Sequence, residues 1–584
     1  MADSALRAVT MDLAPGQVPA SRLDGETANP LDPAAHRAVL AALVPCLIGT
    51  LVLGLFSDGV HHDDDLVHFL MARWAHWYPE YLLHIWGRPG ATIPLAAVAW
   101  IGDRDVAWHL CRGLSAVVTA AGAYLAARVA MRLGTRRAWT VVLACYLQPL
   151  NALLATTTLT ENFTAFYLIA AITLLQSGRA RWAALVFSLA LLTRHEALIL
   201  VPVWWAGLAL VDLRASRKLQ AALLTLWAPI AYNIAYRGFL GDWPARVFFA
   251  PRGLTEYSAT HPLGYLPHAL EAVPPVLFGL ALVGGGMLIR RRQGLIPALV
   301  GVFFLTHCAI TALGIFASGG YGRFMVAVAP LTAILIVAGW ERLIDFGRSR
   351  RAALGQAFVL ASVWIVGLLS YESERRAGRI STHASPEWIT LLTAVAILAV
   401  IVTLFPYAVR SRWCAWPRII ALGILVFTIL QQFGVIVRPL RIKPAQAQVA
   451  RATQWLRTEG LDTAPLFAAN PWFSYELNLI EDPRAHKGPA LFASLPAGTI
   501  ILVDSLYSPS YFHRLPLEAI AEDTKHYHWL KTFKAAPLDP QRQEIHIFRK
   551  IAPTTPATQP DEPYPPTYMR PRPTASNSYY IRPE

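Results

Sequence analysis

The sequence carries little charge for its length. Only 15% of its 584 residues are Asp, Glu, Lys or Arg, whereas 55% are hydrophobic. Soluble domains carry roughly 25% charged residues, so this composition excludes an ordinary soluble protein. Because a membrane span needs a long apolar run, the composition predicts a protein that crosses the lipid bilayer many times. The 19 Trp and 20 Tyr suit the membrane interface, where such rings are enriched.

Cysteine is also scarce, and its spacing excludes both a disulfide framework and a cysteine-based metal site. The five cysteines are Cys46, Cys111, Cys145, Cys308 and Cys414. Residues 1–37 lack the apolar core of a signal peptide, and we expect them to form a disordered cytoplasmic N-terminus.

Long apolar runs predict a mainly α-helical bundle of about thirteen membrane segments in residues 38–440. Each run approaches the roughly 20 residues that a span requires. The predicted segments are 38–56, 112–131, 139–154, 163–175, 182–193, 197–211, 219–236, 273–289, 295–316, 324–340, 352–370, 388–407 and 419–437.

Arginine is concentrated in alternate loops, which orients the predicted bundle. The Arg-dense loops are 132–137, 179–181, 214–218, 290–292, 342–351 and 410–418. Because basic loops stay on the cytoplasmic side, the loops between them are expected on the outer face. This placement also accounts for the net charge of +14 without a nucleic-acid partner.

An acidic cluster follows the first apolar run, in a predicted outer loop at 57–110. Asp63, Asp64 and Asp65 stand in a row, with His61 and His62 before them and His68 shortly after. Isolated carboxylates are costly inside hydrocarbon, so we expect this cluster at the membrane surface. Within the same loop, residues 66–78 and 91–101 are predicted to form helices that lie on or dip into the interface.

After residue 440 the character of the sequence changes. Residues 441–551 predict a small extracytoplasmic α/β domain, with a helix at 445–456, buried strands at 466–469 and 499–504, and an alternating edge strand at 544–548. Residues 552–584 are rich in proline, which predicts a disordered tail.

The order of polar motifs on the outer face resembles the GT-C superfamily of integral-membrane glycosyltransferases. The branch of protein O-mannosyltransferases and lipid A aminoarabinose transferases is the most similar. Its first outer loop carries Asp-Glu followed by an aromatic residue or His, which resembles Asp64, Asp65 and His68. Asp stands where the family has Glu, so which of the three Asp is the counterpart stays open. The family's basic residue before Pro resembles Arg88-Pro89.

Three further motifs follow in the family's order. An acidic residue that opens the fourth span is similar to Glu161, and Leu-Thr-Lys between two short helices is similar to Leu192-Thr193-Arg194. An Arg-Tyr before an apolar run that ends in Pro is similar to Arg323-Phe324. The resemblance covers roughly residues 38–440.

The resemblance implies inverting transfer of a sugar from a polyprenyl-phosphate donor to an acceptor hydroxyl outside the cytoplasm. A carboxylate suits the role of base, and we rank Asp64 first, Asp65 second and Asp63 third. Arginine suits phosphate, so Arg88, Arg194 and Arg323 are candidates for the donor phosphate. A second substrate-contacting set is Glu161, His68 and His62.

Several alternatives remain open for these residues. The Asp run can be a solvated turn that begins a helix, since Asp is favourable there. Glu161 can merely begin a helix, Arg194 can pair with Glu196, and Arg323 can extend to the interface. The only cofactor suggested is a divalent metal, for which the possible ligands are His61, His62, Asp63 and Asp64.

Two other functional classes compete with a glycosyltransferase. A transporter or lipid flippase of a polyprenyl-linked substrate would place charges near the bilayer midplane. A non-catalytic membrane assembly factor would use the C-terminal domain for docking. The expected partners are the polyprenyl-phosphate sugar donor, a glycan, lipid or protein acceptor, and the lipid bilayer. The composition style favours a bacterial inner membrane.

Overall fold

A computed structural model shows a mainly helical chain with a small C-terminal sheet. It describes residues 33–241, 243–244, 265–313, 321–344, 438–481, 495–505, 508, 517–535, 542–551 and 580–581. The helices up to residue 344 are α1 Pro33–Leu55, α2 Asp63–Trp74, α3 Pro89–Ala99, α4 Arg104–Arg132, α5 Trp139–Tyr146, α6 Pro149–Leu154, α7 Glu161–Gln176, α8 Ala180–Thr193, α9 Val201–Leu210, α10 Ala215–Leu224, α11 Trp227–Leu240, α12 Leu266–Ala272, α13 Pro275–Arg290, α14 Leu295–Leu313 and α15 Ala329–Ile344.

Four helices in the described ranges are long and apolar enough to cross a membrane. They are Pro33–Leu55, Arg104–Arg132, Leu295–Leu313 and Gly322–Arg342, and the bent pair of α12 and α13 adds a fifth if it forms one span. This finding supports an integral membrane protein. The total of thirteen segments stays a prediction, and the predicted spans 352–370, 388–407 and 419–437 lie outside the described residues.

Two predicted segments are broken into pairs of shorter helices. Segment 139–154 divides into α5 and α6 at Gln148, which precedes Pro149. A residue before proline is disfavoured in the helical conformation, so the chain bends there. Segment 219–236 divides into α10 and α11 between Leu224 and Trp227. Broken helices of this kind leave backbone groups that side chains near the break can satisfy, as Gln148 does by donating to the Ala144 carbonyl.

The first loop contains the two predicted short helices, α2 and α3, which pack against each other. A 3-10 helix, Pro79–Leu83, connects them. Most apolar side chains of α2 and one face of α3, including Leu95 and Ala99, are buried, so the loop is a packed unit rather than an open excursion.

The C-terminal part carries helices α16 Pro444–Thr458, α17 Pro471–Glu476 and α18 Leu517–Glu522, and a four-stranded sheet. The sheet order is β1 Leu466–Ala468, β3 Ile500–Asp504, β5 Ile545–Lys550 and β4 Tyr527–Phe533, with only β1 and β3 parallel. A separate pair joins β2 Ile480–Glu481 to β6 Tyr580–Ile581. The helix and the two buried strands expected from the sequence are confirmed.

The prediction of an edge strand at 544–548 is wrong. β5 pairs with β3 on one side and with β4 on the other, so it is central. Its alternation reflects one face packed on the core and one face left partly exposed, which an antiparallel central strand also permits. The edges of the sheet are β1 and β4, and the sequence did not reveal β4 because polar residues interrupt its apolar positions.

One hydrophobic cluster joins the first loop to the C-terminal part. It contains Phe69 and Trp108 from the first loop and Trp472 and Ile547 from the C-terminal part. Polar contacts cross the same boundary, and the indole of Trp74 donates to the Leu479 carbonyl at 2.9 Å. The C-terminal part is therefore built onto the loop that carries the acidic cluster.

Candidate active site

The three aspartates form the first turn of α2 and face different surroundings. His62 caps the helix, and its Nδ1 accepts from the backbone N–H of Asp64 at 3.3 Å. Neighbours on a helix point about 100° apart. Asp65 therefore turns into the protein, Asp64 turns toward Arg323, and Asp63 is partly exposed. The alternative of a solvated turn does not hold for Asp65, which is fully buried.

Asp65 is held by the polar turn between α6 and α7. Its Oδ1 accepts from both the backbone N–H and the hydroxyl of Thr158, each at 2.6 Å. Arg112 lies 4.0 Å from the other oxygen and donates to the carbonyls of Ser57 and Gly59. Burial raises the pKa of Asp65, although Arg112 and Thr158 oppose that rise. These contacts tie Asp65 to the fold and leave it little room to meet a substrate.

Asp64 pairs with Arg323 and remains reachable from solvent. Its Oδ2 accepts from Arg323 Nη2 at 2.5 Å, and the Asp64 side chain is 22% exposed. Burial is the largest single influence and would raise the pKa of Asp64, but the Arg323 charge together with His62 and His68 outweighs it and holds that pKa well below the usual range. Asp63 is also partly exposed, but Asp64 is the accessible member of the run that contacts Arg323.

Arg323 also approaches Glu161, which extends the ion pairs into the bundle. The Arg323 Nε atom lies 3.6 Å from Glu161 Oε1. That same oxygen accepts from Arg194 Nη1 at 2.5 Å, and Arg194 Nη2 donates to Glu196 Oε1 at 2.9 Å. Arg194 and both glutamates are buried, so each charge depends on its partners. The alternative in which Arg194 pairs with Glu196 is therefore seen together with the pairing to Glu161.

The ring of Phe324 supports both guanidinium groups. The Arg194 guanidinium lies 4.2 Å from the ring centroid, and that of Arg323 lies 5.7 Å from it. Such cation–π contacts add attraction where water is excluded. Arg323 and Phe324 belong to a 3-10 helix, Gly322–Val328, that leads directly into α15. The start of this span therefore fixes the direction of the Arg323 side chain.

Arg88 differs from the other two arginines of the cluster. Among the described residues, no carboxylate lies within ion-pair distance of Arg88. Its Nη1 donates to the Thr160 hydroxyl at 3.0 Å. Its backbone has φ of +63°, a conformation that is costly for residues other than glycine and that often marks a functional position. Burial is the largest cause that lowers the pKa of Arg88, to about 10, so it stays charged at neutral pH.

The histidines around the cluster have distinct surroundings. His68 lies one helical turn after Asp64, so both share a face of α2. Burial, with Arg88 nearby, lowers the pKa of His68 to about 3, and that of His61 falls to about 3 mainly through burial and Arg323. Both are neutral at pH 7. The His62 ring meets Tyr321 edge to face, with centroids 5.4 Å apart.

The metal alternative finds no support in the observed geometry. In the described part of the chain, no group of three or more His, Cys, Asp or Glu side chains is arranged to hold a metal ion. His62 caps a helix and Asp64 is paired with Arg323, so these two of the four suggested ligands have other partners.

The sequence did not predict three residues of the site, which are Arg112, Thr158 and Thr160. Arg112 carried a usable signal, because a charge inside an apolar run needs a buried partner. The threonines carried none beyond a polar turn, since hydroxyl contacts that span 93 and 72 residues of sequence leave no local pattern.

Comparison with known proteins rests on structure alone. No model of a protein family matches the sequence, and no curated protein matches it. The solved structure of ArnT from Cupriavidus metallidurans bound to undecaprenyl phosphate matches 87% of this chain and 97% of its own, at a TM-score of 0.54 and 14% identity. The chain is similar in fold to ArnT.

The apo structure of the same ArnT gives an equivalent match. It covers 88% of this chain and 98% of its own, with a TM-score of 0.52 and 14% identity. The match to ArnT spans almost the whole of both chains, so it includes the helical bundle and the C-terminal part. The mainly helical fold with a small C-terminal sheet that the sequence predicts is similar to the fold of ArnT.

Proposed function

We propose that this protein transfers a sugar from a polyprenyl-phosphate donor to an acceptor hydroxyl, with inversion, and that Asp64 is the base. The observation that carries the proposal is the Asp64–Arg323 pair at 2.5 Å, in which one partner remains accessible. The ArnT fold and the undecaprenyl phosphate bound to that relative support a lipid-linked substrate class.

The donor phosphate would bind to Arg88 and Arg323. Arg88 has only the Thr160 hydroxyl as its described polar partner, and Arg323 Nη1 is buried without a hydrogen-bond partner in the described ranges. Buried donors that lack a partner are costly, and a phosphate oxygen would satisfy them. Arg194 is less suited, because two carboxylates already bind its guanidinium, and we assign it to positioning Glu161.

The charges of the cluster suggest how donor and base are coupled. Arg88, Arg194 and Arg323 balance Asp64, Glu161 and Glu196. A donor phosphate would add negative charge and compete for Arg323. The attraction of Arg323 for Asp64 would then weaken, which raises the basicity of the Asp64 carboxylate when the donor is bound.

The chemical step then follows from these roles. Asp64 accepts the proton of the acceptor hydroxyl as its oxygen bonds to the sugar carbon. The bond from that carbon to the phosphate oxygen breaks, and polyprenyl phosphate leaves with the electron pair. Arg88 and Arg323 stabilise the charge on this leaving group, the transition-state role that fixed cations perform well.

Asp→Asn variants test this proposal. Purified wild type and the single variants of Asp63, Asp64 and Asp65 would receive a panel of sugar-linked undecaprenyl phosphates, with membrane lipids and peptidoglycan fragments as acceptors. Release of undecaprenyl phosphate is measured by mass spectrometry. We expect Asp64→Asn to lose about 10²–10⁴-fold in rate, the usual contribution of a base. Full release by all three single variants and by the triple variant would refute the proposal, and movement of intact donor across vesicles would favour a flippase.

A further inference from the structure

A cavity lies at the end of the helical bundle that is remote from Asp64. It has a volume of about 80 Å³ and is lined by Arg136, Arg291, Arg342, Glu341, Leu288 and Ala338, among others. Arg112 of α4 contacts the acidic cluster, whereas the loop after α4 lines this cavity. At about 1.5 Å per residue, the 21 residues from Arg112 to Leu133 place the two sites roughly 30 Å apart along the helix.

Three separate segments bring arginine to this cavity. Arg136 follows α4, Arg291 caps the end of α13, and Arg342 lies in the last turn of α15. The ends of α13 and α15 are held together by close backbone contact, since a Cβ on Gly284 would stand 2.7 Å from the Gly339 nitrogen. The packing of α13 against α15 therefore brings Arg291 and Arg342 to the same cavity.

The lining has the charge and shape that suit an anion with an apolar neighbour. Three arginines less one glutamate give a net charge of +2, and the Glu341 carboxylate accepts from the Arg137 backbone N–H at 2.9 Å. Leu288 and Ala338 are buried and provide an apolar wall. A water needs roughly 10–15 Å³ by the same measure, so the cavity takes about five heavy atoms, the size of a phosphate group.

We propose that this cavity, which we call the basic cavity, binds a phosphate group, and that the group belongs to an anionic membrane phospholipid. Guanidinium groups match phosphate oxygens bidentately, and basic pockets between membrane helices attract anionic head groups. The adjoining helix α13 is apolar and exposes Leu282 and Ile289, so acyl chains can follow it while the head group meets the arginines.

Native mass spectrometry of the full chain tests this site. The probes are dioleoyl phosphatidylglycerol, dioleoyl phosphatidylcholine and inorganic phosphate. The test variant is the triple Arg136→Gln, Arg291→Gln and Arg342→Gln. The matched control replaces Arg179, Arg181 and Arg217 by Gln, since these exposed residues lie in the other Arg-dense loops and remove the same charge.

We expect wild type and the control to bind phosphatidylglycerol about tenfold more tightly than phosphatidylcholine, and the test variant to lose that preference. Millimolar inorganic phosphate that displaces the lipid would support the phosphate site but assign it to a soluble phosphate. Equal lipid and phosphate binding by test and control variants would overturn the proposal. If the triple variant does not fold, Arg291→Gln alone should weaken binding severalfold, and an unchanged affinity would equally overturn it. None of these outcomes bears on sugar transfer.

Discussion

Replacement of Arg323 by Gln should bring the titration of Asp64 into the measurable pH range. A base must be unprotonated to act, so the rate falls as pH drops through its pKa. In the wild type, burial raises that pKa, but Arg323, with smaller help from His62 and His68, outweighs burial and holds it well below the usual range. Asp64 should therefore impose no loss of rate above about pH 4. Without Arg323, the effect of burial remains and the pKa rises.

The size of the change follows from the contact. An opposite charge within this distance lowers the pKa of a carboxyl by about 1–3 units, and the contact is 2.5 Å. Loss of that charge should move the acid limb to higher pH, above the ordinary Asp value near 3.9, because the burial of Asp64 remains. The variable to follow is kcat at saturating donor, because Arg323 is also proposed to bind the donor phosphate.

The assay measures release of undecaprenyl phosphate between pH 4 and 9 for wild type and variant. Arg441→Gln is the matched control, because Arg441 lies 3.7 Å from Asp58 and both side chains are exposed. It removes a charge beside the same loop and should leave the acid limb unchanged. An acid limb that stays in place in Arg323→Gln would refute the role of Asp64 as the titrating base.

Thermal unfolding gives a second readout if the variant turns over too slowly. A carboxyl with a raised folded-state pKa binds its proton more tightly in the folded state, so stability increases as pH falls through that pKa. Arg323→Gln should therefore gain stability relative to wild type as pH falls from 7 through the raised pKa of Asp64. Wild type, with a depressed pKa at Asp64, loses that contribution only at lower pH. No relative gain in the variant would contradict the reasoning.

Three further variants probe the supports of the site. Thr158→Val removes a buried hydroxyl that donates to Asp65 and should cost about 1–3 kcal/mol in chemical denaturation; an unchanged midpoint would contradict the structural role. Arg194→Met leaves Glu196 without its paired cation and Glu161 with Arg323 alone, and should cost about 3–5 kcal/mol. Gln at both glutamates should restore folding but not transfer. Gly90→Ala would press a Cβ against α8 and displace the nearby Arg88, so transfer should fall about 100-fold at wild-type donor concentration, whereas Ala at Gly301, which has open space, should not matter.

The sequence predicted much of the helical framework because a membrane span is a continuous apolar run, which local composition reveals. The apolar runs at 38–56, 112–131 and 295–316 correspond to α1, α4 and α14. The breaks within two other runs needed knowledge of tertiary packing, although proline after Gln148 was a local sign. The central position of β5 depends on which strands pair, which alternation alone does not reveal.

The candidate site was likewise predicted only in part. Charged residues in an apolar chain are conspicuous, so Asp64, Arg88 and Arg323 were visible from the sequence. Their partners were not, because the pair of Asp64 with Arg323 joins residues 259 positions apart. Charge balance, which sets the pKa of Asp64, arises only when those segments meet.

The lipid that copurifies with wild type and with Asp64→Asn tests the central claim most directly. Both proteins would be purified in mild detergent from the same cells, and bound lipids identified by mass spectrometry. Wild type should carry undecaprenyl phosphate, the product, whereas Asp64→Asn should retain its sugar-linked form because the donor binds but cannot transfer. Arg88→Gln with Arg323→Gln should carry neither. Absence of both lipids from wild type and Asp64→Asn, or the same unglycosylated lipid on both, would contradict the account.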